Sequence, residues 1–328
     1  MPSIPRDLPV WQLAAASLRA GTPVVLLCVL RSDGSSPGRQ GFKMAVTLTE
    51  STGSIGGGIM EHKFVELARQ RLRTGDTTPL LRPQVHRREA PADRSGMMCS
   101  GEQDVLLLPL TTVDLPQVEA IAQALATQAG GSFELSAAQG LTTNLEESAS
   151  PFYTYQREPE WSYRERLGFR EQVTIIGGGH VSLALSRVLA TLDFEITVLD
   201  DRAELPTLDA NTYAHHRHVV DYDQLADVVP TGPQQYVVVM TVGYRTDAQA
   251  LRQLLGRTRQ GHSYRYLGVM GSQAKIAELR RVLREEGYAE ASLAVLRGPI
   301  GVAIHSKTPE EIAVSVAAEL IGVRHGAC

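Results

Sequence analysis

The stretch QVTIIGGGHVSLALSRVLATLDFEITVLDDR, Gln172 to Arg202, decides the fold class of this chain. Val173, Ile175 and Ile176 form a short β-branched run. Beyond the glycines, Val181, Leu185, Val188, Leu189 and Leu192 recur at helical spacing, so the apolar period changes at Gly177, Gly178 and Gly179. A strand, a glycine turn, a helix and a second strand in that order make a nucleotide-binding βαβ unit. Gly177 allows a sharp turn and Gly179 allows a pyrophosphate to come close. The first N–H groups of the helix, with His180 in its opening turn, would then point at the anion. Ser182 stands where the dinucleotide fingerprint has its third glycine, a position that governs helix–strand packing, so a small serine strains the motif without abolishing it. Asp200 closes the second strand where an acidic residue commonly meets a ribose 2′-hydroxyl, and Arg202 follows it. NAD(P) is one ligand this pattern admits; an inherited scaffold with a repurposed crevice is the bland alternative.

Downstream, strands and helices keep alternating, with Tyr236 to Thr241 and Tyr264 to Met270 as near-continuous apolar runs of the kind buried on both faces. The pattern predicts a Rossmann-like, doubly wound parallel sheet. Lys275, just after the Met270-Gly271-Ser272 turn, is expected either to face the crevice at the carboxyl ends of the strands or to be a solvated lysine at a helix start. His215, His216 and His218 lack a metal-ligand spacing and read as a surface strand. Thr308, Pro309 and Glu311 announce the last helix through a capping box.

Upstream, a helix over about Pro9 to Ala20 leads to a strand from Pro23 to Leu30, a polar loop from Ser32 to Gly41 and a strand from Phe42 to Leu48. Gly56, Gly57 and Gly58 open a helix whose stripe is Met60, Phe64, Ala68 and Leu72. Glu61 in its first turn suits either capping or ligand contact. A strand from Val105 to Leu110 and a helix from Leu115 to about Gln128 follow. Between Gly140 and Trp161 the text turns polar and aromatic. The expected organisation is an N-terminal α/β domain over 1–150, a linker over 151–168 and the Rossmann-like domain over 169–328.

A length of 328 residues suits two domains, and a net charge of −4 argues against general nucleic-acid or anionic-membrane binding. The N-terminus shows no basic region leading into an apolar stretch, and the apolar run Val24 to Leu30 is too short to span a bilayer, so the expected location is the cytoplasm. Three cysteines without a CxxC pair give no disulfide framework and no zinc ribbon. Cys28 lies inside a strand and reads as packed. Cys99 sits in the loop MMCSG, with Arg82, Arg87, Arg88 and Arg94 upstream; if these are near in space they raise its thiolate fraction.

The stretches YLGVMGSQAKIAELRRVLREEGY (Tyr266 to Tyr288) and GPIGVAIHSKTPEEIAVSVAAELIGVR (Gly298 to Arg324) resemble the C-terminal domain of the XdhC/CoxI family, the xanthine dehydrogenase accessory factors. GSSPGRQGFKMAV (Gly34 to Val46), GSIGGGIMEHKFVELA (Gly53 to Ala68) and CSGEQDVLLLP (Cys99 to Pro109) are similar to the three signature segments of that family's N-terminal domain. The resemblance covers nearly the whole chain, in order. It implies a homodimeric factor that binds molybdenum cofactor, holds it while a cysteine desulfurase helps install a sulfido ligand, and delivers it to a xanthine-dehydrogenase-like apoenzyme. Such a factor is a carrier with no catalytic residue of its own.

The cofactor's phosphate asks for the N–H groups of Gly56 to Gly58 and Gly177 to Gly179, or for Arg39 and Lys43, and its molybdenum suits the Cys99 thiolate. The glycine loops of both halves place the expected cofactor between the domains. The chain departs from the family pattern at Ile59, where CoxI-type members carry a cysteine, at Ser100, at the displaced Arg39, and at Thr241-Val242-Gly243-Tyr244 in place of Thr-His. Two rivals remain. One is an NAD(P)-dependent oxidoreductase, against which stands the absence of a tyrosine with a lysine four residues later. The other is a nucleotide-sensing interaction protein without chemistry.

Overall fold

The structure, a computed structural model, describes residues 2–85, 101–146 and 151–326. The chain forms two compact units. One comprises Ile4–Gly168, and the other begins at Phe169 and takes in Ser3.

The first unit runs α1 (Leu8–Arg19), β1 (Val24–Gly34), β2 (Lys43–Val46), β3 (Ser51–Gly53), α2 (Gly58–Thr74), β4 (Leu80–Val85), β5 (Gly101–Leu110), α3 (Leu115–Thr127), β6 (Ser132–Ser136), β7 (Gly140–Asn144), β8 (Tyr153–Gln156) and β9 (Ser162–Arg166). Strands β3-β2-β1-β5-β4 make one antiparallel sheet and β7-β6-β9-β8 a second. Strand β1 is apolar without alternation because both of its faces are covered. Leu26, Cys28 and Leu30 pack with Trp11, Leu18, Val118 and Phe133, whereas Val25, Leu27 and Val29 pack with Met60, Phe64 and Ala68 of α2. Trp11 meets Phe133 edge-on with ring centroids 5.2 Å apart, joining α1 to the second sheet.

Two expectations need correction here. The span 151–168, read as a linker, holds β8 and β9, and β9 lies between β6 and β8 in the second sheet. Its strands look like loop text because only alternate residues, Tyr163 and Glu165, are buried. Strand β1 also runs on to Gly34, four residues past its apolar part. The polar residues Arg31 and Asp33 pair in register with Asp104 and Glu102 across β5, and Arg31 forms ion pairs with Asp33, Glu102 and Asp104.

The second unit runs β10 (Glu171–Ile176), α4 (His180–Leu189), β11 (Phe194–Asp200), α5 (Pro206–Asp209), β12 (His216–Val219), α6 (Leu225–Val228), β13 (Gly232–Val239), α7 (Tyr244–Arg259), β14 (Tyr264–Val269), α8 (Gln273–Glu285), α9 (Glu290–Ala294), β15 (Leu296–Arg297) and α10 (Pro309–Arg324). Its six strands are all parallel in the order β12-β11-β10-β13-β14-β15. The strand order reverses between β10 and β13, and in open α/β sheets ligands bind outside the carboxyl ends of the strands at that point. Val173, Ile175, Tyr236 and Val238 face α4 and α10, while Ile176, Val237, Val239 and Leu267 face α7 and α8. The α10 capping box is present: Thr308 Oγ1 accepts from Glu311 N, and the Glu311 carboxylate accepts from Thr308 N. Strand β12 is an exposed edge, although His215 just before it is half-buried, accepting from Ile196 N at its Nδ1, and burial pushes its imidazole below the usual range. Among the described residues, no helix is long and apolar enough to cross a membrane.

Candidate functional site

At the strand-order reversal, Gly177 has φ +108°, and a Cβ there would lie 2.3 Å from the carbonyl oxygen of Met240. Only glycine lets the turn after β10 lie against the end of β13. Gly177 N donates to Leu199 O at 2.7 Å, and Gly178 N donates to Asp200 Oδ2 at 2.6 Å. The Asp200 side chain is buried, and its oxygens also accept from Arg202 N, Nε and Nη2 at 2.8–2.9 Å. Burial pushes this carboxyl up, but the hydrogen bonds from Arg202 and Gly178 outweigh it and leave it below its ordinary value. The expectation that Asp200 meets a ribose hydroxyl therefore changes: its oxygens hold the glycine turn and Arg202 in place. Asp200→Ala is expected to cost about 1–3 kcal/mol, since it strips Gly178 and Arg202 of their acceptor; urea unfolding checks this.

What stays open is the helix start. Gly179 is the N-cap of α4 and supplies no side-chain cap, a Cβ there would meet nothing within 4 Å, and His180 is exposed. Ser182 is fully buried, in keeping with its packing position. Across the crevice, Thr241 donates to Asp247 Oδ1 through its backbone N at 3.2 Å and its hydroxyl at 2.6 Å. Lys275 Nζ pairs with the other oxygen of Asp247 and donates to Met270 O at 3.0 Å. Lys275 thus stands at the carboxyl end of β14, with its charge held by a carboxylate. Sequence reasoning passed over Asp247, because an acidic residue in a first helical turn reads as a solvated, dipole-stabilised group. Its complete burial is a tertiary fact.

In the first unit, three loops meet. A Cβ on Gly38 would lie 2.1 Å from Ile55 O, one on Gly56 would lie 2.4 Å from Gly38 N, and one on Gly101 would lie 2.4 Å from Ser36 N. The segments carrying Gly34–Val46, Gly53–Ala68 and the start of β5 are therefore stacked backbone on backbone. Gln103 Oε1 accepts from Gly38 N at 3.3 Å. Glu61 Oε2 accepts from Ser54 Oγ, Ile55 N and Gly57 N at 2.6, 2.9 and 3.0 Å. Of its two readings, capping is the one realised: the Glu61 carboxylate takes the N–H groups of Ile55 and Gly57, and Gly56 N donates to Ser54 Oγ at 3.1 Å. Gly57 and Gly58 have φ of +77° and +68° and begin α2. Arg39 is exposed and donates to Gly34 O at 2.9 Å, pinning the loop it belongs to.

Lys43 is a correction. Its Nζ is completely buried and donates to Asp7 Oδ2 at 2.5 Å, Glu165 Oε1 at 2.7 Å and Gly41 O at 2.8 Å, so it ties α1, β2 and β9 together and has no donor left for a phosphate. Tyr163 donates to Glu165 Oε2 at 2.5 Å. Burial would lower the Lys43 ammonium, but Asp7 and Glu165 outweigh it and hold it above its usual value. Burial pushes Glu165 up to about 8, against the pull of Lys43, and pushes the packed Cys28 thiol well up. Cys28 is therefore inert. Cys99 lies outside the described residues, as do Arg87, Arg88 and Arg94. Among the described residues, no group of three or more His, Cys, Asp or Glu is placed to hold a metal ion.

The XdhC Rossmann domain family matches residues 173–320, and the XdhC and CoxI family matches residues 17–83. An uncharacterized protein, YqeB, of Escherichia coli (strain K12) is 31% identical over 163 residues, which is 49% of this chain and 28% of that protein's own length. A solved structure from Bacillus halodurans, described as a xanthine dehydrogenase, superposes over 98% of this chain and 96% of its own, with a TM-score of 0.69 at 20% identity. At that identity the likeness shows a shared fold.

Proposed function

Because this chain belongs to the XdhC and CoxI family, we propose that it is an accessory factor of a xanthine-dehydrogenase-like molybdoenzyme, a carrier that binds molybdenum cofactor, keeps it through sulfuration by a cysteine desulfurase and hands it on. The observation that carries this reading is the stacking of the three signature loops at Gly38, Gly56 and Gly101, the last of these two residues along the chain from Cys99. The uncapped start of α4, beside the exposed His180, suits the cofactor's phosphate, because its first N–H groups and the helix dipole favour an anion. A soft metal held by a dithiolene suits a thiolate, and Cys99 is the residue to which that role falls. When bound, the cofactor supplies the redox chemistry used by the client enzyme. The chain's own groups bind and orient it. A cytoplasmic homodimer completes the proposal.

An NAD(P)-dependent oxidoreductase is the weaker reading, since the Asp200 oxygens are turned to Gly178 and Arg202. The deciding experiment titrates the full chain and a Cys99→Ala variant with molybdenum cofactor, followed by absorbance and ultrafiltration, with NADH as competitor and activation of an apo-molybdoenzyme as the second readout. Stoichiometric binding by the wild type, lost in the variant and coupled to activation, is the expected result. Tight NAD(P)H binding with no cofactor binding would overturn the proposal in favour of a nucleotide sensor or oxidoreductase.

A further inference from the structure

Strand β12 carries His216, Arg217, His218 and Val219, and all four are exposed. In a strand, side chains two apart share a face, so the histidines around it divide between two sides of the sheet. His215 is engaged on one side: its Nδ1 accepts from Ile196 N at 2.9 Å and its Nε2 donates to Ser3 O at 2.9 Å. Arg217 is engaged too, on the carbonyl oxygens of Leu208 and Asp209. His216 and His218 stand together on the other side. Their rings are nearly parallel, at an interplanar angle of 9°, with centroids 6.3 Å apart.

A chain of polar groups across three neighbouring strands holds one of these rings. Gln172 of β10 pairs in register with Glu195 of β11 and donates to its Oε2 at 2.8 Å, and Glu195 Oε1 lies 3.1 Å from His216 Nε2. A carboxylate only accepts, so Nε2 carries the proton, and in the neutral ring Nδ1 keeps its lone pair. An imidazole that donates one ring N–H to a carboxylate and keeps the other nitrogen bare is the arrangement in which histidine ligates a metal. A row of surface polar groups is the bland account. It covers the Gln172–Glu195–His216 chain and leaves the second imidazole, stacked beside the first, without a reason. Two nitrogens on one tetrahedral ion stand about 3.3 Å apart at metal–nitrogen distances of about 2.0–2.1 Å. Same-face Cα atoms two residues apart are separated by about 6.6 Å, and torsion of two exposed rings toward each other closes the remaining gap.

We propose that His216 and His218 chelate a divalent transition-metal ion of the imidazole-preferring class, Ni²⁺, Cu²⁺ or Zn²⁺, at the edge of the Rossmann-like sheet, with Glu195 as the positioning residue behind His216. Among the described residues, no third His, Cys, Asp or Glu is placed to join them, so water fills the other positions and the ion exchanges with solution. The site stands independently of the cofactor reading.

The test is calorimetric titration of the metal-stripped full chain with Ni²⁺, combined with diethyl pyrocarbonate modification mapped by mass spectrometry. Ni²⁺ is expected to bind, to protect His216 and His218 from the reagent and to leave the exposed His262 reactive. Zn²⁺ should displace it and millimolar Mg²⁺ should not. His216→Gln and His218→Gln should each abolish the protection of the histidine that remains. Glu195→Gln should weaken Ni²⁺ binding about tenfold, because a neutral amide leaves the ring a poorer base. His262→Gln should change nothing. These substitutions fall on exposed or half-exposed side chains, and unchanged circular dichroism and melting keep their outcomes interpretable. No Ni²⁺ binding, protection of other histidines in place of these two, or binding that survives either His216→Gln or His218→Gln unaltered would each overturn the proposal. So would a Ni²⁺ signal that disappears in Cys99→Ala while both histidine variants retain it, which would assign the ion to the thiol.

Discussion

Lys43→Met is expected to lower the unfolding free energy of the Ile4–Gly168 unit by about 3–5 kcal/mol at pH 8.5, the usual cost of removing one member of a buried ion pair. The lysine has no exposed side-chain area, and its removal leaves Asp7 and Glu165 facing each other without a cation. Glu165 makes the loss dependent on pH. Its folded value near 8 lies above its ordinary value of 4.5, so folding takes up a proton between those limits. Stability then falls as the pH rises through that window, by at most about 1.4 kcal/mol per pH unit. In Lys43→Met at pH 5.5, a protonated Glu165 softens the defect, and the measured cost should be smaller than at pH 8.5. Glu165→Gln should flatten this part of the pH profile, since the amide does not titrate. Urea unfolding of wild type, Lys43→Met and Glu165→Gln at pH 5.5 and 8.5 separates these effects. A Lys43→Met cost that is equal at both values, or below 1 kcal/mol, would refute the account.

Gly38→Ala is expected to cost about 3 kcal/mol or more, because the added methyl would sit 2.1 Å from the carbonyl oxygen of Ile55, and a backbone oxygen has no rotamer by which to move away. The strain has to be relieved by separating the Gly34–Gly41 loop from the Gly53–Gly58 loop. The same variant should therefore lose cofactor binding and activation of the client even at temperatures where it remains folded. Ile59→Ala is the matched control. Ile59 lies in the first turn of α2 right beside the glycines and is 60% exposed, and its truncation should stay within about 0.5 kcal/mol of wild type. Thermal melts and cofactor titration of the two variants, run in parallel, check both statements. A Gly38→Ala protein that binds cofactor as the wild type does would remove the stacked loops from the proposed site.

Residues of the Rossmann-like unit were legible from local pattern because each signal is local. The period change at Gly177, the apolar strands from Tyr236 and Tyr264, and the Thr308–Glu311 cap all depend on neighbours within a few positions, and the parallel sheet appears where they place it. The second antiparallel sheet was not legible. Strands β8 and β9 are short and half-exposed, and β6, the strand that joins β9 to the rest of the sheet, lies outside the polar stretch, so no local period distinguishes them from a loop.

Site residues divide along the same physical line. The types that serve a tight turn or a helix start, Gly177, Gly57 and Glu61, declare themselves by spacing, and the residues carrying the family resemblance follow from their order along the chain. The partner of a charge is set by which distant elements meet. Lys43 looked like a phosphate ligand until β2 was brought beneath α1 and β9, where Asp7 and Glu165 consume its donors. Asp200 looked like a ribose ligand until its own turn, Gly178 and Arg202, occupied it. The sequence by itself determined the fold class and the glycine turns and carried the family resemblance. Only the tertiary structure decided which charged groups face inward, because a long side chain takes the nearest partner in space and a buried ion without one costs several kcal/mol.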